Sequence, residues 1–182
     1  MDSLQGHLLV ASPSLPDSNF LKSVVLLVEH SADGAVGLIL NRVSSTSFNE
    51  LWNRDDGPCD STEFVLHGGP VHGPLMCVHG HADCADMIVL PGVYFSSDSD
   101  SLRSIVAKNE PPRRMFLGYA GWGPSQLEAE LKAGGWLVSM GDESIVFSDE
   151  VDDIWQRVIN KTGQEILRDS LHIDRFPDPS FN

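Results

Sequence analysis

The densest set of side chains that could do chemistry lies in the segment 67–84, which contains Cys77, His79 and His81. If residues 75–81 form a strand, these three side chains point to the same face, where thiolate and imidazole groups could bind zinc. However, their spacing matches none of the well-known zinc motifs. We therefore predict no metal or other cofactor, and keep these three residues as the alternative metal-ligand set.

The same segment also supports an enzyme hypothesis, because a histidine beside a cysteine lowers the pKa of the thiol and activates it as a nucleophile. A buried, inert Cys77 is the commoner outcome. The rest of the sequence contains no G-x-S-x-G, HExxH or CxxC pattern. No catalytic residue is therefore predicted, and an enzyme using a His/Cys or metal site in the segment 67–84 remains the alternative.

Two glycine-rich stretches are the other candidates, HGGPV with Gly68 and Gly69, and GYAGWG with Tyr119, Gly121 and Trp122. Glycine permits sharp bends and close backbone approach, which suits either a ligand site or a tight corner of a packed core. We favour turn geometry, with Trp122 covering the core.

A short helix is predicted directly after the second stretch. Ser125 and Glu128 match the S-x-x-E capping box, and Gly134-Gly135 supplies a C-terminal stop. A helix N-terminus can bind anions. Pro124 removes one donor and no lysine follows as in a phosphate-binding loop, so plain turn geometry is favoured over anion binding.

The elements that must position these residues read as short apolar strands with few helices, which indicates an α+β domain. VVLLVEH and AVGLILN flank Asp33-Gly34 and predict a hairpin that is covered on both faces. Glu29-His30 and Asn41-Arg42 lie at the ends of its strands, where capping of the strand ends is the favoured role.

Further along the chain, WLVSM and SIVF, joined through Gly141-Asp142, predict a second hairpin. A helix is predicted over 100–109. Val151, Ile154, Trp155, Val158 and Ile159 recur at spacings of three and four residues, which predicts an amphipathic helix.

Charge and length limit the class of protein. The 182 residues fit one domain, 1–182, with 176–182 as a loose tail. The net charge of -14, with 26 acidic against 12 basic residues, argues against direct nucleic-acid binding. The longest aliphatic run, Val24 to Val28, is too short to cross a membrane, and three cysteines without CxxC spacing fit a reducing compartment. We expect a cytoplasmic protein.

The ordered succession of motifs resembles the YqgE/AlgH family of bacterial proteins. The resemblance runs from about Gly6 to about Ile166 and rests on HLLVASPSLPDSNFLKSVVLLVEH, DGAVGLILNR, HGGPV, GYAGWGPSQLEAEL and the Ile154-Trp155 pair. It implies an α+β fold with a bifurcated mixed β-sheet, a small barrel-like part and surrounding helices. The family is largely uncharacterised, and no catalytic residues carry over. One branch bears a name that implies a transcriptional regulator of alginate production.

These observations predict a non-enzymatic binding or regulatory domain that works through an unknown protein or small-molecule partner, with any transcriptional effect indirect. The candidate ligand-binding residues are Asn41, Arg42, His67, Gly68, Gly69, His79, Tyr119, Gly121 and Trp122.

Overall fold

A computed structural model describes residues 2–52, 61 and 63–171. In this part of the chain ten strands form one connected sheet: β1 (Leu8–Ala11), β2 (Val24–Ser31), β3 (Gly34–Ile39), β4 (Val43–Ser47), β5 (Phe64–His67), β6 (Val71–His79), β7 (Met87–Leu90), β8 (Val93–Ser96), β9 (Arg113–Trp122) and β10 (Trp136–Ser139). The helices are α1 (Phe48–Leu51), α2 (Ser99–Lys108), α3 (Gln126–Lys132), α4 (Glu143–Val146) and α5 (Ile154–Leu171). The predicted tail 176–182 lies outside the described residues.

The sheet follows the order β10-β1-β2-β3-β9-β6-β8-β7 and branches at β9. One edge of β9 pairs with β6, whereas the other is shared between β3, near Trp122, and β5, near Phe116. The β5–β9 pair is parallel and the other pairs are antiparallel. The α+β class is therefore confirmed. The barrel-like part is not confirmed, because the described strand path has two ends, β10 and β7.

The central hairpin β2–β3 is covered on both faces, as predicted. Leu26 and Leu38 belong to a core cluster under α5, and Val25 and Ile39 to a second cluster that includes Trp122. Alternate residues of a strand point to opposite faces, so a continuous apolar run supplies both clusters at once.

The predicted amphipathic helix is α5, which packs against β1, β2 and β10. Ile154 and Val158 are almost fully buried, and the indole Nε1–H of Trp155 donates to the carbonyl of Ala11 at 2.9 Å. None of the described helices combines the length and apolar character needed to cross a membrane.

The second predicted hairpin is wrong. WLVS is strand β10, but it pairs with β1, and SIVF begins within helix α4. The carboxylate of Asp142 accepts a hydrogen bond from the backbone N–H of Ser144 at 2.8 Å and so caps the helix. Ile145 and Val146 lie in this single helical turn, and both are buried. Strand propensity is outweighed here by the cap and by packing.

The predicted capping box of α3 is also wrong, although the helix is present. Ser125 adopts a left-handed conformation with φ of 60° and makes no side-chain cap. The side chain of Gln126, the first helical residue, bonds to the preceding turn, because its Oε1 accepts from the backbone N–H of Gly123 at 3.1 Å. Glu128 instead accepts from the Nε2–H of His30 at 3.0 Å.

Candidate functional site

The two glycine-rich stretches meet backbone to backbone. A Cβ on Gly68 would lie 2.1 Å from the carbonyl oxygen of Gly118, and one on Gly69 would lie 2.2 Å from the carbonyl carbon of Tyr119. The N–H of Gly68 also donates to the carbonyl of Leu117 at 3.0 Å. The HGGPV turn therefore needs glycines because it packs directly on β9.

Beside this contact lies a cavity of about 390 Å³, which we call the aromatic cavity. The loop 14–17 forms one wall and helix α3 with the following turn forms the other. Both glycine-rich stretches contribute to its lining, through Pro70 and through Gly121 with Trp122. The aromatic side chains of Phe20 and Trp136 and two carboxylates, Asp17 and Glu130, also line it.

Glu130 organises the buried part of the aromatic cavity. Its Oε2 accepts hydrogen bonds from the indole Nε1–H of Trp122 at 2.9 Å and of Trp136 at 2.8 Å. Its Oε1 accepts from the side-chain amide of Gln126 at 3.0 Å. All three donors are neutral, so they orient the carboxylate without cancelling its charge.

The aromatic rings support one another. Trp122 and Trp136 meet edge to face with centroids 5.9 Å apart, and Phe20 stacks on Trp122 at 6.1 Å and meets Trp136 at 5.2 Å. Trp122 and Trp136 are only 5% and 3% exposed, whereas Phe20 is half-buried. Phe20 and the edges of the two indoles therefore form the apolar floor.

The stop after α3 positions Trp136 beside Glu130. Gly134 has a φ of +76°, its N–H donates to the carbonyl of Leu131, and the N–H of Gly135 donates to the carbonyl of Glu130, both at 3.0 Å. This is a Schellman motif, so the predicted glycine stop is confirmed.

A smaller cavity of about 60 Å³ adjoins Pro70 and is lined by three of the predicted residues, Arg42, His67 and Gly69. Asn41 is not among its lining residues. The side chain of Asn41 accepts from the N–H of Val24 at 2.9 Å and donates to the carbonyl of Lys22 at 2.8 Å. Asn41 therefore ties two strand ends together, which is the favoured role predicted for it.

The alternative metal set does not assemble. Among the described residues no group of three or more His, Cys, Asp or Glu side chains is arranged to hold a metal ion. Burial raises the pKa of the Cys77 thiol to about 12, so it is a poor thiolate donor. The Nδ1 of His79 accepts from the backbone N–H of His81 at 3.2 Å.

His79 also contacts a hydroxyl, because its Nε2–H donates to the Oγ of Ser96 at 3.0 Å. Both side chains are fully buried, and the Ser96 hydroxyl donates to the carbonyl of Cys84 at 2.8 Å. Burial and the neighbouring His81 lower the pKa of His79 to about 4. A serine next to a histidine resembles a nucleophile with its base. Here, however, the hydroxyl proton of Ser96 is donated to Cys84 and not to His79, and both side chains are buried.

A further cavity of about 610 Å³ lies around Phe64, Arg113 and Arg114. None of the predicted ligand-binding residues lines it. Arg113 pairs there with Glu63 at 3.3 Å and donates to Asn109 at 3.0 Å.

The structure thus brings together part of the predicted site. Gly121 and Trp122 line the aromatic cavity, Arg42, His67 and Gly69 line the adjoining one, and Gly68 supports the contact between them, whereas Asn41, His79 and Tyr119 line neither. Phe20, Glu130 and Trp136 were missing from the predicted site.

Comparison with known proteins assigns the chain to a family. The model of the AlgH-like family matches residues 8–167. The chain belongs to the AlgH-like family. AlgH-like relatives include a UPF0301 protein of Stenotrophomonas maltophilia, 37% identical over 175 residues that cover 91% of this chain and 93% of the relative. A UPF0301 protein of Myxococcus xanthus is 36% identical over 168 residues, covering 90% and 93% of the two chains.

Solved structures of similar chains share the fold. The solution structure of the AlgH protein from Pseudomonas aeruginosa has a TM-score of 0.70 and 30% identity, and covers 97% of this chain and 96% of its own. A crystal structure of a protein from Corynebacterium diphtheriae has a TM-score of 0.69 and 25% identity, with coverage of 88% and 87%.

Proposed function

We propose that this AlgH-like chain is a non-enzymatic binding domain whose ligand site is the aromatic cavity, and that any regulatory effect follows from occupation of that cavity. The observation that carries the proposal is the convergence of Pro70 and Gly121, one from each glycine-rich stretch, on a cavity floored by Trp122 and Trp136. Concave, largely apolar sites with a few oriented polar groups are typical of ligand pockets.

The chemistry of the cavity supports binding more than catalysis. Its ionisable lining groups, Asp17 and Glu130, are both acids, and Glu130 is held by three donors. Nucleophilic catalysis needs a nucleophile next to a base, and none of the described lining residues is a cysteine, lysine or histidine. The nucleophile candidates Cys77 and Ser96 lie in buried positions outside this cavity.

Indirect regulation in the cytoplasm is the corresponding cellular role. A chain with a net charge of -14 is repelled by nucleic-acid phosphates, so a partner or small molecule would carry the signal.

Ligand binding can be tested through the tryptophan indole N–H signals in a two-dimensional NMR spectrum. A fragment library is added to the ¹⁵N-labelled protein, and the Nε1–H shifts of Trp122 and Trp136 are followed. Trp155, whose indole is bonded to Ala11, is the internal control. We expect hits that move the first two signals and leave the third in place.

A matched pair of variants fixes the location. Ala133 lines the aromatic cavity, so Ala133→Phe should fill it and abolish the shifts. Ala129 is exposed on α3, one turn before Ala133, and does not line the cavity, so Ala129→Phe should preserve the shifts. If no fragment moves the Trp122 and Trp136 signals, or if Ala133→Phe binds as well as the unmodified chain, the proposed function is wrong.

A further inference from the structure

We infer that the ligand of the aromatic cavity is an organic cation, an alkylammonium or alkylguanidinium group attached to an apolar body. This inference rests on the proposed function and names the ligand class of that same site. It follows from the charge of the cavity wall and from the nature of its floor.

The charged part of the lining is acidic. Asp17 and Glu130 are its two carboxylates, and none of the described residues that line the cavity is a lysine, arginine or histidine. The hydrogen bonds that Glu130 accepts come from two indoles and an amide. Its negative charge therefore has no positive partner in the lining.

Asp17 adds to this negative potential. Its Oδ1 accepts from the N–H of Asn19 at 2.8 Å, another neutral donor, and the residue is exposed at the mouth of the cavity. The whole chain carries a charge of -14, so the long-range field also attracts cations and repels anions.

Apart from Ser14 and Gln126, the remaining lining residues are apolar or aromatic and select the body of the ligand. Leu15, Pro16 and Pro70 line the cavity with the half-buried ring of Phe20. Aromatic rings attract cations through their π-electron density, and carboxylates pair with ammonium and guanidinium groups. An anion would meet two carboxylates, and a small hydrated metal ion would gain nothing from the apolar floor.

The test is a charge series on one apolar body, followed by the indole shifts of Trp122 and Trp136. Phenethylammonium and phenethylguanidinium are the cations, 2-phenylethanol is the neutral probe and phenylacetate is the anion. We expect the cations to bind at least about tenfold more tightly than the alcohol, since hydrogen bonds to charged groups contribute more than neutral ones. Phenylacetate should not bind.

Two charge-removing variants assign the effect. Glu130→Gln and Asp17→Asn each remove one negative charge with little change of shape, so each should weaken phenethylammonium binding about tenfold and weaken it more than 2-phenylethanol binding. Glu128→Gln is the matched control. It removes the same charge from the same helix, but Glu128 pairs with His30 away from the cavity.

Each outcome bears on a different claim. Equal binding of alcohol and cation, or equal losses in Glu130→Gln and Glu128→Gln, overturns the cation inference and leaves the binding site standing. No shift with any probe overturns the proposed function itself.

The cation could belong to a free metabolite or to a lysine or arginine side chain of a protein. A capped glycine–arginine–glycine peptide is therefore compared with phenethylguanidinium. Tighter binding of the peptide supports a protein partner, and tighter binding of the small probe supports a metabolite.

Discussion

Protonation of His79 should destabilise the fold at mildly acidic pH. The pKa of His79 is lowered from 6.5 to about 4, chiefly by burial and next by the neighbouring His81. Between these two values the unfolded chain binds a proton that the folded chain does not. Stability is therefore fully present above pH 6.5 and falls as the pH is lowered towards 4.

The size of the effect follows from the shift. A difference of about 2.5 pKa units corresponds to about 3 kcal/mol once the pH has fallen through the whole interval, and to about 2 kcal/mol between pH 7 and pH 5. Protonation of Nδ1 would also remove the acceptor that the backbone N–H of His81 now uses.

Urea denaturation at pH 7, 6 and 5 measures this loss. His79→Gln can still donate to Ser96 and accept from His81 but does not titrate, so its stability should lose about 2 kcal/mol less over this range. His72→Gln is the matched control, because His72 is exposed on the same strand. Carboxylates with lowered pKa values that do not interact with His79, such as Asp142, which is hydrogen-bonded to Ser144, affect all three proteins equally. A slope in His79→Gln equal to that of the unmodified chain would refute the reasoning.

Three further predictions follow from the packing and the charge. Gly69→Ala should lower the free energy of unfolding by about 3 kcal/mol or more, because its Cβ would lie 2.2 Å from a backbone atom of Tyr119. Gly163→Ala is the control: Gly163 lies on α5 with nothing within 4 Å of the added Cβ, so the change should raise the free energy of unfolding by up to about 1 kcal/mol. Similar losses in both variants would contradict the close-contact argument. Cys77 should resist iodoacetamide in the folded protein, because it is buried and its pKa is raised to about 12; mass spectrometry showing rapid modification without urea would contradict this. Duplex DNA should not shift in gels at low salt, since the net charge is -14; a salt-sensitive complex would contradict indirect regulation.

Local sequence patterns predicted the elements that depend on a continuous or periodic apolar run, or on one conformationally special residue. The run Val24 to Val28 determined a strand buried on both faces, and the spacing of Ile154 and Val158 determined the amphipathic helix α5. Gly134 stopped α3 because a left-handed residue ends a helix regardless of its wider surroundings.

The predictions were wrong where a short segment is compatible with two different local structures. SIVF has high strand propensity, yet Asp142 caps it as a helix. Ser125 and Glu128 have capping-box spacing, but Glu128 pairs with His30, which comes from a distant strand. In both segments the competing structure depends on the side chains that surround it.

The aromatic cavity could be predicted only in part. Trp122 belongs to a recognisable glycine-rich stretch, but Trp136 reaches it through the β1–β10 pairing, and Phe20 through the loop that follows β1. Glu130 lies on the short helix α3, and its hydrogen bonds to the two indoles form only when Trp122 and Trp136 have been brought together. Residues that converge through long-range pairing leave no common spacing in the sequence.

The most direct test of the binding site is the set of intermolecular nuclear Overhauser effects between phenethylammonium and the protein. The structure predicts contacts from the probe to the ring protons of Phe20, Trp122 and Trp136, and their loss in Ala133→Phe. Contacts confined to Trp155 or to the segment 67–84, or contacts that persist in Ala133→Phe, would contradict the assignment of the aromatic cavity as the ligand site.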